Sequence, residues 1–427
     1  MKGDPGFKTS MHKKTVLDNG LRIITETMPY LKSVTIGIWT DIGSRNESRD
    51  NNGFSHFIEH MVFKGTKTRS ALEIAASLES LGGTLNAFTG RENTCYYARV
   101  LDSSLPIATE ILCDLLSNST FEEKHVSMEK KVVLEEIKDC LDTPSDLVHD
   151  IFSKDTWKDH PLGYPILGNI TNIRRIKRDE LLKYFRSHYL TTNTVIAAAG
   201  NVKHADLVRQ IEKHLKLRVK TVRASRKEIE PRRYSARKVY QRKIMQSHVV
   251  LGWEIVPYNH PDRYPLLMLN NILGGGMSSR LFQIIREKTG LAYSIFTFQD
   301  YYRDTGILGA YLGCDGTKVA QAVNLLVQEV DKVKTGDITD AEFSSTKLQL
   351  SGNLMLGLES STNRMNRLAR NELYLGRYIG INETMKNIER VTKDDLVRVA
   401  NDYMTPENCS LVVLGPIEKS VINDINL

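Results

Sequence analysis

The sequence predicts an α+β fold built twice in tandem, and three observations carry that prediction. At 427 residues the chain is too long for one ordinary hydrophobic core. A pattern of strand, polar turn, strand, short loop and amphipathic helix occurs in each half of it. Between the halves lies a concentrated basic stretch, residues 218–243, with eleven Lys/Arg against two Glu. Since the whole chain carries only +7, everything outside that stretch is close to neutral.

In the first half, "LRIITE" and "SVTIGIW" have the apolar alternation of strands. "GFSHFIEHMVFKGT" is a helix that buries Phe54, Phe57, Ile58, Met61, Val62 and Phe63. Ser70 caps the next helix, "ALEIAASLESL", and Gly82-Gly83 closes it. "LNAFTGRENTCYYARVLDSSLPIATEILCDLL" is the first copy of the repeat, and "TVIAAAG" is a late strand. "SMEKKVVLEEIKDCLD" reads as a helix, with Val132, Val133 and Ile137 apolar.

The second half opens on the strand "SHVVLGWEI". Gly274 to Gly276 permit a tight turn before a helix expected over 278–286. "YSIFTFQDYYRDTGILGAYLGCDGTKVAQAVNLLVQEV" is the second copy of the repeat. Phe88-Thr89 falls on Phe296-Thr297, and Ala98 falls on Ala310 after four extra residues, which predicts a longer hairpin turn. The strand "CSLVVLG" ends the half. The expected domains are therefore 1–217 and 244–427, joined by a linker at 218–243.

Composition narrows the function classes. The chain is 41% hydrophobic and 26% charged, with no apolar run long enough for a membrane span. The N-terminal stretch lacks the apolar core of a secretory signal. Five scattered cysteines without a CxxC pair suit reduced thiols in a cytosol-like compartment. A nucleic-acid surface is the sharper reading of the basic stretch, but only Tyr234 and Tyr240 are interleaved with it, so a solvated linker fits better. Neither a nucleic-acid nor a membrane partner is expected.

The chemistry is concentrated in the first helix. Positions i, i+3 and i+4 share one helix face, so His56 and His60 can reach one ion while Glu59 lies beside it. The spacing H-x-x-E-H is the inverted form of the zinc-protease helix motif. A catalytic zinc keeps three protein ligands, so a third is required. Glu129 and Glu136 are seven apart and point the same way, whereas Glu135 is rotated off that face by about 100°. Taken alone, any of these acids reads as part of a solvated helix face; partnership with the histidine helix makes Glu136 the third ligand. Glu129 is then placed to orient a ligand or tune the site. Glu59, off the metal, can take a proton from an attacking water and return it to a leaving amine. One Zn2+ per chain is expected. The second half has no counterpart: "LMLNNILGGGMSSRLF" and "LQLSGNLM" hold neither histidine nor acid.

"HFIEHMVFKGT", the glutamate 76 residues beyond His60, "GGTLNAFTGRENTCYY" and "GGGMSSRLFQIIREKTGLAYS" together resemble the pitrilysin family of zinc peptidases. That family includes the mitochondrial processing peptidase and the insulin-degrading enzyme, and the likeness runs from "LDNGLRI" to "LVVLG". It implies two halves, each a mixed, mostly antiparallel sheet covered by helices, enclosing a chamber like a clamshell. It also implies His56, His60 and Glu136 as ligands, Glu59 as catalytic base and Glu129 as auxiliary acid. The edge strand around Asn86, Ala87 and Phe88 would take up peptide as an added strand, with Asn86 steadying the oxyanion. Arg286 and Tyr293 would reach from the second half to hold substrate carbonyls. The implied activity is a zinc metalloendopeptidase acting on unstructured peptides or presequence-like segments; the alternative is a non-catalytic or partner-dependent subunit. A homodimer is expected, or a heterodimer, in a bacterial cytoplasm or a mitochondrial matrix.

Overall fold

A computed structural model describes residues 11–219, 231 and 233–427. Most of the basic stretch, 220–230 and 232, lies outside the described residues. Its last part is not linker, because Arg237–Gln241 forms a sheet strand.

The first half of the chain contains strands β1 (Met11–Val16), β2 (Arg22–Thr27), β3 (Ser33–Thr40), β4 (Thr84–Thr89), β5 (Thr94–Leu101) and β6 (Thr194–Gly200). Its helices are α1 (Phe54–Val62), α2 (Ala71–Glu79), α3 (Leu105–Asn118), α4 (Glu123–Asp142), α5 (Pro144–Thr156), α6 (Ile170–Arg175), α7 (Arg178–His188) and α8 (His204–His214). The second half adds β7 (Arg237–Gln241), β8 (Ser247–Ile255), β9 (Ala292–Tyr301), β10 (Gly306–Cys314) and β11 (Cys409–Gly415). Helices α9 (Arg263–Gly274), α10 (Val319–Lys334), α11 (Asp340–Gly357), α12 (Ser361–Leu375), α13 (Ile381–Arg390) and α14 (Lys393–Tyr403) complete it. Among the described residues no helix is long and apolar enough to cross a membrane.

The duplication is visible in the strand order. One sheet runs β1-β2-β6-β3-β5-β4 and the other β7-β11-β8-β10-β9. In each, a single parallel pair, β2 with β6 and β7 with β11, joins an otherwise antiparallel series. The five-stranded sheet therefore repeats the six-stranded one without β1. Both repeat hairpins turn over four residues, 90–93 and 302–305. The extra residues of the second copy lengthen the strands themselves, not the turn as the sequence alignment predicts.

Residue contacts divide the described chain into two units that do not follow chain order. Lys138–Gly163, from the first half, belongs to the second unit, and Leu356–Tyr378, from the second half, belongs to the first. This revises the boundaries at 217 and 244, and the physical reason is that each sheet has two faces to cover. In the first unit, Ile36, Ile38, Phe57, Met61 and Leu112 fill one face. On the other, Ile24, Trp39, Val195, Ala197 and Ala199 pack on Met365, Leu368 and Ala369 of α12. Every residue of β6 is buried, as a strand covered on both sides must be. At Gly37 an added Cβ would stand 2.7 Å from Met365 Sδ, so the Met365 side chain packs directly on the strand backbone there. Lys14 bonds Glu372 at 2.7 Å, and Arg364 pairs with Glu26.

The second unit is built the same way. Val249, Leu251, Leu269, Val323 and Val399 fill one face of its sheet. Val148, Phe152 and Trp157, on and just after α5, cover Val250, Tyr311 and Val412 on the other. Asp155 fastens that helix through Lys238 Nζ and the Tyr240 hydroxyl, both at 2.7 Å.

Candidate metal centre

Helix α1 begins at Gly53, whose φ of +104° lies in the left-handed region. A Cβ there would also come within 3.0 Å of Gly168 Cα. The first amide groups of the helix are met by Glu47, a residue the sequence reading passed over. Its buried carboxylate accepts from the backbone N–H of Ser55 at 2.6 Å and of Gly53 at 2.8 Å, and from Asn52 Nδ2 at 3.0 Å. An acid capping a helix N-terminus satisfies orphan donors and favours the helix dipole.

Phe54, Phe57, Ile58, Met61 and Val62 are buried and anchor α1 to the core. The remaining face carries His56 and His60, with side chains 12% and 17% exposed, and Glu59 between them. Helix α4 packs through Val126, Val133 and Ile137 and presents Glu129 and Glu136. Val132, apolar though it is, is exposed, as is Glu135.

Glu136 Oε2 lies 3.7 Å from His56 Nε2 and 3.5 Å from His60 Nε2. One ligand atom from each of the three residues falls within 4.8 Å of the others, the one such cluster of three or more among the described residues. These separations suit zinc, because bonds of about 2.0–2.1 Å at tetrahedral angles put neighbouring ligand atoms about 3.4 Å apart. Glu136 Oε2 is buried without a hydrogen-bond donor, as an oxygen reserved for a cation would be. The residues present fit the metal.

Electrostatics agree with that reading. Burial, and then the neighbouring His60, push the His56 pKa down to about 3, so its imidazole is neutral and free to ligate. Burial pulls His60 the same way, but the Glu129 hydrogen bond and the carboxylates of Glu136, Glu129 and Glu59 raise it overall. Glu129 Oε2 is 3.1 Å from His60 Nδ1, and its Oε1 takes Lys64 Nζ at 2.8 Å. Donation from Nδ1–H would hold the tautomer that leaves Nε2 as the ligand. Burial would raise the Glu129 pKa, yet His60 and Lys64 hold it below the ordinary value. Glu59 is pushed up by burial and partly restored by a hydrogen bond from the Thr89 hydroxyl.

Asn86, Ala87 and Phe88 lie on β4, the last strand of its sheet. Ala87 N–H donates at 2.8 Å to Asn86 Oδ1, so a side chain occupies that position on the strand. Phe88 turns its ring into the core, edge-on to Trp39 with centroids 5.2 Å apart. Its backbone, not its side chain, is what the edge offers.

Arg286 and Tyr293 lie in the second unit and meet each other, the guanidinium 4.6 Å from the ring centroid. Both sit at irregularities that the sequence did not announce. The helix expected over 278–286 is observed as a π-helical turn, Phe282–Lys288. Tyr293 is the extra residue of a bulge, since Gly313 pairs with Ser294 and Cys314 with Ala292. The residue is 75% exposed. Such irregularities re-aim side chains and concentrate at functional sites.

Comparison with known proteins bears on the whole chain. Residues 22–170 match the family model described as insulinase, peptidase family M16, and residues 175–350 match that of the M16 inactive domain. An uncharacterized zinc protease of Streptomyces coelicolor is 40% identical over 98% of this chain and 92% of its own. One from Bacillus subtilis is 39% identical over 95% and 98%. The crystal structure of a protease from Helicobacter pylori shares the fold, with a TM-score of 0.89 over 95% of this chain and 100% of that one, at 24% identity.

Proposed function

The chain belongs to the M16 peptidase family, and from that premise we propose that it is a zinc-dependent metalloendopeptidase cutting unstructured peptides or presequence-like segments in an enclosed chamber. The observation that carries the reading is the convergence of His56 Nε2 and His60 Nε2 on Glu136 Oε2, with Glu59 on the same helix face. Relatives with 38–40% identity are named zinc proteases, which supports the same metal here.

When bound, zinc would supply a Lewis acid for the scissile carbonyl and make a water in the pocket acidic enough to react near neutral pH. The protein's residues do the rest. Glu59 accepts the proton of the attacking water and delivers it to the amine as the C–N bond breaks. Its partial burial raises its pKa, which makes it a better base. Glu129 keeps His60 oriented. The β4 edge would offer main-chain groups to an extended peptide, and Asn86, whose Oδ1 accepts from Ala87 N–H in the free strand, would give up that contact to help steady the oxyanion. Arg286 and Tyr293 serve as substrate-holding groups, a role supported by the exposure of Tyr293 and the stacking of Arg286 on its ring. The second unit, without a metal cluster among its described residues, is a binding partner for the peptide.

Replacing Glu59 with Gln tests the assignment. The variant should hold one zinc per chain by metal analysis and lose cleavage of an unstructured peptide by at least about a hundredfold. Unchanged turnover would reject Glu59 as the base. Arg286→Ala should raise KM or lower kcat and retain the metal; released metal would place Arg286 in the site's scaffold instead.

A further inference from the structure

We propose that Thr89 is the residue that positions Glu59, tying the base to the strand on which peptide docks. This rests on the peptidase reading and adds a residue to it. Thr89 ends β4, and its hydroxyl donates to Glu59 Oε2 across from α1. A hydroxyl has one proton to donate, so the bond engages one carboxylate oxygen and leaves the other to accept from water.

The strand end that carries the hydroxyl is held from several directions. Thr89 pairs with Thr94 on β5, and Thr94 Oγ1 donates at 2.9 Å to Ile42 O in the buried interior. The adjoining turn closes through Gly90 N to Asn93 O at 2.8 Å. The segment before α1 clamps the same turn, with Arg45 N donating to Arg91 O at 2.7 Å and Ser44 N to Gly90 O at 3.3 Å. At Gly43 a Cβ would stand 2.3 Å from Gly90 O, so the two segments are in close contact. On the other side, Phe88 is packed on Trp39.

Among the described residues, the Glu59 carboxylate has no other hydrogen bond to fix it. Its flexible side chain leaves α1 on the face away from the core. Small misplacement of a reacting group is costly, about a hundredfold in rate for an error of about 1 Å. Thr89 supplies the missing constraint from a rigid strand end. Because Asn86 to Thr89 are consecutive on that strand, a peptide added to β4 is placed in register with the base in the same step.

The test compares Thr89→Val, which keeps the shape and removes the donor, with Thr89→Ser, which keeps the donor. Both are assayed as full-length, zinc-loaded protein on an unstructured fluorogenic peptide, with zinc content and Tm measured. Thr89→Val should lower kcat by about 10- to 100-fold, with KM within about threefold of the parent and one zinc retained. Thr89→Ser should return kcat to within about threefold. Should the valine variant not fold, Thr89→Ala provides the same loss of donor. The proposal is overturned if the valine variant turns over at the parent rate, if serine is as impaired as valine, if the change lies in KM alone, or if zinc is lost. A zinc-loaded parent that cuts no peptide would instead remove the peptidase reading, a result distinct from an active parent matched by Thr89→Val.

Discussion

Glu47 contributes nothing to binding an ion, yet the geometry of the histidine helix depends on it. The carboxylate is buried, and the backbone N–H groups of Gly53, which caps α1, and of Ser55 in its first turn end on it. Glu47→Ala would strand those donors away from water, at about 1–3 kcal/mol each. We expect a loss of about 2–5 kcal/mol in urea unfolding, and an unchanged midpoint would contradict the capping role. Glu129 acts one step closer to the ligands, through His60 Nδ1. Glu129→Gln should weaken zinc binding by about 10- to 100-fold in competition with a chelator, because the orienting charge is removed while the ligands remain. Neither Glu47 nor Thr89 is legible in the sequence. His56, Glu59 and His60 are, since a helix converts their spacing directly into a shared face. The Glu47 contact spans a left-handed turn, and the Thr89 contact joins segments that no periodicity relates.

At the level of elements, local signals were legible where the chain satisfies its own backbone. Ser70 caps α2 in a reciprocal arrangement with Glu73, as S-x-x-E spacing allows. The loop that follows α1 is held differently, by a partner 45 to 48 residues away. Asp114 on α3 accepts from Thr66 at 2.7 Å, Thr68 at 2.9 Å and Arg69 Nη1 at 2.9 Å. Burial alone would raise its pKa, but those donors and Asn118 hold it below the ordinary value. A depressed folded-state pKa means the stabilisation is present above the unfolded value of about 3.8 and fades as pH falls through the folded one. Asp114→Asn should therefore destabilise the protein at pH 7, by about 1–3 kcal/mol. That penalty should shrink below about pH 4, and a pH-independent penalty would argue against the charge. The π-helical turn at Phe282–Lys288 and the bulge at Tyr293 lay beyond sequence reading, because a single residue shifts the register without changing apolar patterning.

On the scale of the whole molecule, the traded segments are the main departure from a simple tandem. α12 closes the second face of the first unit's sheet and α5 closes that of the second. A fragment ending at residue 217 would leave Trp39, Val195, Ala197 and Ala199 without their cover. We expect that fragment to bind a hydrophobic dye and to melt without a cooperative transition. We also expect co-expression with the remaining chain to restore both cooperativity and zinc binding. Cooperative melting of the lone fragment at the Tm of the intact protein would show that α12 is dispensable to it.

The sequence by itself determined the duplication, the strand and helix types, the asymmetry between the halves and the three residues proposed to hold a metal. Each is written in spacings of a few residues or in one copy compared with the other. Only the tertiary structure decided which helix covers which sheet, what caps the metal helix and what steadies its acid. An amphipathic pattern states that a face will be buried, but any complementary apolar surface can bury it. The choice of partner is made by shape and donor–acceptor matching between segments far apart in the chain, which no local period records.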